Sequence, residues 1–162
     1  MPVAPYIVPE HERLAALAGE WEGDEVVGPS SWFEAGPARG FMSARLALGG
    51  FYLIQEYRQE RAGKVIFSGH ALVTFDREDG RYKRFWFDSV GYVPESPAVG
   101  HWTGNTLLLR QATLRGTVRQ TFRFESDESY AMLLQFSPDD EGWSDLITGT
   151  YRRVAPARDS AS

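Results

Sequence analysis

The sequence predicts an all-β protein: a closed, antiparallel, ten-stranded up-and-down barrel preceded by a short N-terminal capping helix. About ten strand-like runs follow one another, most of them separated by short joints rich in turn residues, and such joints make neighbouring strands antiparallel. Two-residue alternation of apolar and polar side chains marks one buried face in the clearest strands. Closure removes the two exposed edges that a ten-strand meander would otherwise have.

The N-terminal part predicts an extended arm followed by a helix. Residues 1–8 form the predicted arm, and the helix is expected to begin at Pro9. Proline at the first helical position loses no needed hydrogen bond, and Glu10 and Glu12 favour the positive end of a helix. Gly19 suits the position after the helix, because glycine adopts the left-handed backbone conformation at little cost.

The remaining chain is predicted to form strands. They lie in the runs EWEGDEVV, ARGFMSARLALGG, FYLIQEYRQE, KVIFSGHALVTFD, RYKRFWFDSVG, AVGHWTG, TLLLRQATL, TVRQTFRFES, SYAMLLQF and GWSDLITGTYRRV. The two longest breaks, GPSSWFEAGP and GYVPESPAVG, contain proline and glycine and are expected to be loops. The alternation is clearest in the eighth and ninth runs, where the apolar or inward set is Val118, Gln120, Phe122, Phe124, Tyr130, Met132, Leu134 and Phe136.

Composition favours one domain of residues 9–154 and excludes several kinds of chemistry. The 162 residues are 43% hydrophobic, which suffices for a single core, and the small polar segment 155–162 is predicted to be disordered. Because the chain has no cysteine, disulfides and thiolate chemistry are excluded. Scattered lysines and arginines with a net charge of −5 predict no nucleic-acid partner. The N-terminal stretch lacks the pattern of a signal peptide, and no membrane span is expected, which favours a cytoplasmic protein.

The step from helix to first strand predicts a plug for one end of the barrel. Trp21 follows Gly19 and is expected to point inward, where its ring would cover the opening. Arg152 and Arg153 lie near the end of the last strand, and either guanidinium can lie across the indole if the first and last strands pair. These four residues are predicted to be structural, with a ligand contact for Trp21 as the alternative.

Several segments together resemble a known group of proteins. HERLAALAGEWEGD, LGGFYLIQEY, VTFDREDGRYKRFWFDSVG, GNTLLL and TGTYRR resemble, in this order, a bacterial lipocalin-like family of uncharacterised function within the calycin superfamily. The resemblance implies a barrel that binds small, mostly apolar ligands, and it implies no agreed activity. Nitrobindin, a haem-binding calycin, has alternating glycines after its Gly-x-Trp, whereas this chain has EGDEVVGPS. No cofactor is therefore expected, with haem as an alternative.

The abundance of aromatic residues predicts a cavity for a small hydrophobic molecule. Apolar pockets with a few polar groups are the usual small-molecule sites, and barrels of eight or more strands can enclose one. The predicted ligand-binding residues are Gln55, Tyr57, Phe67, Trp86, Asp88, His101, Gln120, Phe122, Phe124, Met132 and Leu134. The alternative is that the aromatic rings fill the barrel and leave no space for a ligand.

A barrel enzyme is the second hypothesis. If the loop GYVPESPA joins neighbouring strands symmetrically, Asp88 lies opposite His101, and the carboxylate can orient the imidazole for general acid–base catalysis. Counting back through REDG places His70 opposite Phe87. The alternative is that the histidines face outward and that Asp88 starts a turn; His11 is expected to be solvated. Because no nucleophile elbow, phosphate loop or metal-spaced histidine pair is present, no metal site is expected and binding is favoured over catalysis.

Two loops carry the residues expected at a surface of interaction. Trp32 and Phe33 belong to GPSSWFEAGP, and residues 91–99 form the other proline-containing loop. Exposed aromatic residues often mark interfaces. These segments are therefore expected either to cover a mouth of the barrel or to meet a partner, and a homodimer is one form that this partnership can take.

Overall fold

The computed structural model describes residues 5–155, and within them ten antiparallel strands form a closed barrel. In chain order these strands are β1 (Gly19–Val27), β2 (Gly36–Ala47), β3 (Tyr52–Arg61), β4 (Lys64–Asp76), β5 (Arg81–Asp88), β6 (Ala98–Thr103), β7 (Thr106–Thr113), β8 (Gly116–Ser126), β9 (Ser129–Ser137) and β10 (Ser144–Val154). Each strand pairs with its neighbours in the sequence, and β1 pairs with β10. The predicted fold class is confirmed.

A short helical segment precedes the first strand. One turn of α-helix, α1 (Pro9–Glu12), has proline at its first position, and a 3-10 segment, Arg13–Leu17, continues it. Gly19 follows with a φ of 120°, in the region that favours glycine. The predicted capping helix is present, although only its first turn is α-helical. Among residues 5–155, no helix is long and apolar enough to cross a membrane.

The two predicted terminal segments are described only in part. Residues 5–8 of the predicted arm carry neither helix nor strand, and Ala155 follows β10 without regular structure. The rest of the arm, residues 1–4, and the rest of the predicted disordered tail, residues 156–162, lie outside the described residues.

The base of the barrel is the end at which α1 and Trp21 lie. The Trp21 side chain is 1% exposed, and its Nε1–H donates a hydrogen bond of 3.0 Å to the Leu17 carbonyl. In the register of β1 and β10, Trp21 lies opposite Arg153, whose guanidinium carbon is 4.3 Å from the centre of the indole. Of the two arginines between which the prediction left the choice open, Arg153 is thus the one in the plug, and Arg152 is exposed on the outer face.

Above Trp21 the lower interior is filled with apolar side chains. Leu53, Val73, Leu107, Leu109 and Phe122 project inward from four strands and are each at most 1% exposed. Burial of a side chain of this size stabilises a fold by about 1.5–3 kcal/mol relative to its exposure. This half of the barrel is therefore a packed core. It agrees with the alternative prediction, in which side chains fill the barrel and leave no space for a ligand.

The upper mouth, at the opposite end, is covered only in part. The loop of residues 28–35 crosses it, with the Trp32 ring edge-on to Phe136 at 4.8 Å and the Phe33 ring edge-on to Phe67 at 5.7 Å. Both loop aromatics thus contact residues of the barrel wall. Trp32 nevertheless remains 41% exposed.

The sheet also parts along one side of this upper half. β5 pairs with β6 only through residues 82–84, opposite residues 98–100. Residues 85–88 of β5 have no partner on that side, and the loop of residues 89–97 follows them. The barrel therefore has a gap in its hydrogen-bonded wall between β5 and β6.

Candidate ligand-binding site

The interior is accessible to solvent in the upper part of the barrel. Six inward-facing side chains there are only partly buried; they are Phe67, Trp86, Val118, Gln120, Leu134 and Phe136, and we call them the open half. On the neighbouring strands β3 and β10, by contrast, Gln59 is 2% exposed and Ile147 is 4% exposed, and Val27 of β1 is 2% exposed. The partly exposed inward side chains thus lie on β4, β5, β8 and β9, and most of them are apolar.

Trp86 forms one wall of the open half. Its ring stacks with Phe67 at a centroid distance of 6.3 Å, and its Nε1–H donates to the Asp88 carboxylate at 3.0 Å. The ring lies directly over Gly69 on the neighbouring strand, where any Cβ would collide with it. Glycine at this position therefore allows the tryptophan ring to lie against the barrel wall.

Arg84 lies at the floor of the open half, where β5 and β6 part. It is 7% exposed; its Nε donates to Gln55 at 2.9 Å and its Nη1 donates to Gln120 at 2.7 Å. The guanidinium carbon is 4.7 Å from the centre of the Trp86 ring. Burial lowers the pKa of Arg84 to about 10, so the side chain is still a cation at neutral pH. None of the ion pairs within residues 5–155 includes Arg84.

A buried carboxylate, Glu25, lies on the opposite wall and is 2% exposed. It accepts hydrogen bonds from the Tyr57 hydroxyl at 2.7 Å, from the Gln59 amide at 3.1 Å and from the Tyr151 hydroxyl. Burial, followed by the Glu25 charge, raises the pKa of both tyrosines well above the usual value. Glu25 is thus held by neutral donors and is separate from Arg84.

Three glycines make room for this network. The Tyr151 ring lies against Gly23 and Gly149, where a Cβ would be 2.8 and 2.9 Å from its carbon atoms, and its hydroxyl lies where a Cβ of Gly40 would be. These distances are shorter than side-chain packing permits. The absence of side chains on three neighbouring strands therefore allows the Tyr151 hydroxyl to reach Glu25.

Most of the predicted ligand-binding residues face the interior, but they lie at different depths. Phe67, Trp86, Gln120 and Leu134 belong to the open half, and Asp88 lies at its edge. The fully buried ones are Gln55, Tyr57, Phe122 and Met132, at most 8% exposed. Phe124 lies at the base, with its ring 6.2 Å from that of Trp21. Contact with a ligand stays a prediction for the residues of the open half.

The predicted pairing of Asp88 with His101 is wrong. Asp88 lies opposite Gly69 of β4, whereas His101 lies opposite Leu108 of β7 and is exposed on the outer face. The loop before β6 does not form a symmetric hairpin, and the pairing of β5 with β6 ends at Arg84, short of Asp88. His101 therefore lines no cavity, and the catalytic hypothesis loses its Asp–His pair.

Asp88 instead starts a turn, which was the alternative to its catalytic role. Its Oδ1 accepts a hydrogen bond from the Val90 backbone N–H at 3.1 Å, and its carbonyl accepts one from Gly91 at 3.1 Å. The second carboxylate oxygen accepts from Trp86, as described above. The carboxylate thus orients the indole at the edge of the open half.

The other histidines are also remote from the open half. His70 lies opposite Phe87, as predicted, and contacts Glu56 on the outer face. His11 is 2% exposed and so is not solvated as expected; it accepts from the Val8 N–H at 3.1 Å and contacts the Phe75 carbonyl at 3.1 Å. No histidine therefore projects from a strand into the barrel, where the haem alternative would need one as an iron ligand. Residues 5–155 also contain no cluster of three metal-ligating side chains.

Arg84 and Glu25 were missed by the predictions from sequence. Arg84 is two residues before Trp86, which was expected inside, and Glu25 is four residues after Trp21 on the predicted first strand. In a strand, residues at even spacing point to the same face. Strict application of this rule would have placed both charges inside the barrel.

A groove of about 560 Å³ also lies on the outer face of β1, β2 and β3. It is lined by outward residues such as Glu22, Phe41 and Arg58. Its charges are largely paired within the chain, since Arg39 contacts Glu22 at 3.1 Å and Arg58 contacts Glu60 at 2.9 Å. The groove is thus a solvated surface with local ion pairs, unlike the apolar lining of the open half.

Comparison with known proteins gives a family and a shared fold. Residues 7–153 match the family described as "Protein of unknown function (DUF1579)", and no curated protein matches the chain. The crystal structure of Rv2717c from M. tuberculosis is 14% identical with a TM-score of 0.70, over 93% of this chain and 100% of that one. The S-type phycobiliprotein lyase CPES from Guillardia theta is 10% identical with a TM-score of 0.64, over 90% and 93% respectively. These likenesses show the fold alone. By the match over residues 7–153, the chain belongs to the DUF1579 family of proteins of unknown function.

Proposed function

We propose that this protein binds a small, largely apolar molecule inside its barrel, in the manner of the lipocalin-like proteins that its sequence resembles. The observation that supports the proposal most is the open half. Five of its six side chains are apolar, and all six face inward while remaining accessible to solvent. A molecule bound there would remove this apolar surface from water, which is favourable by about 25 cal/mol for each Å².

The lower and upper halves of the barrel are packed differently. This contrast favours a binding site in the upper half over the explanation that the whole barrel is poorly packed. Protein interiors are packed as densely as organic crystals, and the lower half follows this rule with residues such as Leu107 at 0% exposure. In the upper half, Gly69 leaves room for the Trp86 ring against the wall, and β5 and β6 stop pairing after Arg84. These features favour room for a ligand in the upper half of the barrel.

The proposal includes a cytoplasmic location, and a chain without cysteine suits a reducing compartment. The structural neighbours add no ligand, since a likeness at 10–14% identity extends only to the fold. A homodimer through the partly exposed Trp32 is a further part of the expectation, and size-exclusion chromatography with light scattering tests it directly.

Binding of the neutral fluorescent probe N-phenyl-1-naphthylamine tests the proposed function. The wild type should enhance the fluorescence of the probe saturably. Leu134→Trp should weaken binding at least about tenfold, because the larger ring fills the open half. The matched control is Leu108→Trp, since Leu108 is 37% exposed and faces outward. Equal binding by the two folded variants would contradict the proposal.

A further inference from the structure

The floor of the open half carries a buried positive charge with neutral partners. The Arg84 guanidinium donates to the side-chain oxygens of Gln55 and Gln120, and the ring of Trp86 lies beside it. A guanidinium has five N–H donors, and these two hydrogen bonds use only Nε and Nη1. An amide oxygen carries no net charge, so the cation has no counter-ion among its described partners.

The buried carboxylate of the barrel does not neutralise Arg84. Glu25 already accepts hydrogen bonds from Tyr57, Gln59 and Tyr151, and it makes no ion pair with Arg84 within the part of the chain that the structure describes. Burial of a charge without a partner opposes folding. The chain retains this charge next to an accessible apolar space.

Arg84 borders the open half through one of its hydrogen-bond partners. Gln120, which accepts from Arg84, is itself only partly buried and belongs to the open half. Arg84 also occupies the last position at which β5 pairs with β6, directly below the gap in the wall. The charge is thus at the inner end of the apolar lining, beside the point where β5 and β6 stop pairing.

We propose that Arg84 anchors the carboxylate of an amphipathic ligand, whose apolar body lies against Trp86, Phe67 and Leu134. This inference rests on the proposed function and specifies its ligand class as an apolar monocarboxylic acid. The planar guanidinium matches a carboxylate in geometry and forms short, charge-assisted hydrogen bonds with it. The bound carboxylate supplies the counter-ion that the protein itself does not.

The test compares cis-parinaric acid with its methyl ester, two fluorescent probes with the same apolar body. The wild type should bind the acid at least about tenfold more tightly than the ester at neutral pH. In Arg84→Met the acid should bind only as tightly as the ester, whose affinity should change less than about twofold. The matched control is Arg110→Met, because Arg110 lies on the outer surface with its side chain 48% exposed.

The outcomes separate the inference from the proposed function. Equal binding of acid and ester by the wild type would overturn the role of Arg84 and leave the proposed function standing. Binding of neither probe would overturn both. If Arg84→Met does not fold, Arg84→Lys retains a cation without the planar fork and should lower the affinity for the acid several-fold while leaving the ester unchanged. Unchanged preference for the acid in either folded variant would also overturn the inference.

Discussion

The guanidinium of Arg153 on the last strand lies over the indole of Trp21 on the first strand, 4.3 Å from its centre. The two residues are direct partners in the pairing of β1 with β10, so the contact lies at the seam that closes the barrel. Arg153 also donates to the carbonyls of Ala18 and Asp127. One side chain thus joins the capping segment, the first strand and a turn at the base.

Replacement of this arginine should destabilise the barrel. Arg153→Ala removes the stacking on Trp21 and two hydrogen bonds, and we expect the free energy of unfolding to fall by about 2 kcal/mol. Arg152→Ala is the control, because Arg152 is exposed and its loss should change stability by less than about 0.5 kcal/mol. Urea denaturation followed by tryptophan fluorescence measures both. Equal losses in the two variants would show that the seam does not depend on Arg153.

The glycines around Tyr151 should not tolerate a side chain. Gly40→Ala places a methyl group at the Tyr151 hydroxyl and 2.7 Å from the Glu25 carboxyl carbon. We expect this overlap to lower the free energy of unfolding by about 2 kcal/mol or more. Gly142 provides the control, since no atom lies within 4 Å of the position of its Cβ. Thermal unfolding of the two variants compares them. A Gly40→Ala protein as stable as Gly142→Ala would contradict the close packing described here.

The barrel should lose stability in alkali. Burial raises the pKa of Tyr57, Tyr130 and Tyr151, so above about pH 10 the unfolded chain releases protons that the native barrel keeps. Stability therefore falls as the pH rises. The lowered pKa of Arg84 acts in the opposite direction, but one arginine opposes three tyrosines. Ionisation of these tyrosines, measured by ultraviolet absorbance, should coincide with loss of near-ultraviolet circular dichroism. Complete tyrosine ionisation in a folded barrel would refute this prediction.

The buried histidine at the base should contribute to stability, whereas the exposed one should not. His11→Ala removes a side chain that contacts the backbone of Val8 and Phe75. We expect the free energy of unfolding to fall by about 1–3 kcal/mol. His101→Ala should be nearly neutral, because His101 is exposed on the outer face. Chemical denaturation tests the pair. A larger loss of stability in His101→Ala than in His11→Ala would mean that the buried position of His11 and the exposed position of His101 are incorrect.

The barrel was predictable because its evidence is local. Short joints such as REDG join strands that are adjacent in the sheet, and the pairing of His70 with Phe87 follows from counting back through that turn. The pairing of β1 with β10 is a contact between distant parts of the chain. It was accessible because closure removes the exposed edges of the sheet and because Trp21 and an arginine near the C-terminus suggested a contact between them.

The site was less predictable for a physical reason. The loop of residues 89–97 contains prolines and joins strands that pair over only three residues, so no turn type specifies the register from which Asp88 and His101 were matched. Charged residues are rarely buried without a partner, and Arg84 and Glu25 were not among the predicted interior residues despite their spacing. The exposure of the open half depends on where β5 and β6 stop pairing. The alternation of apolar and polar residues within one strand does not specify that position.

The most direct test of the account is a crystal structure of the protein with dodecanoic acid. We predict electron density for the ligand inside the barrel, with its chain against Trp86 and Leu134 and its carboxylate within hydrogen-bonding distance of Arg84. Density found only in the outer groove over β1–β3, with none inside the barrel, would contradict the central claim that the open half is a ligand-binding site.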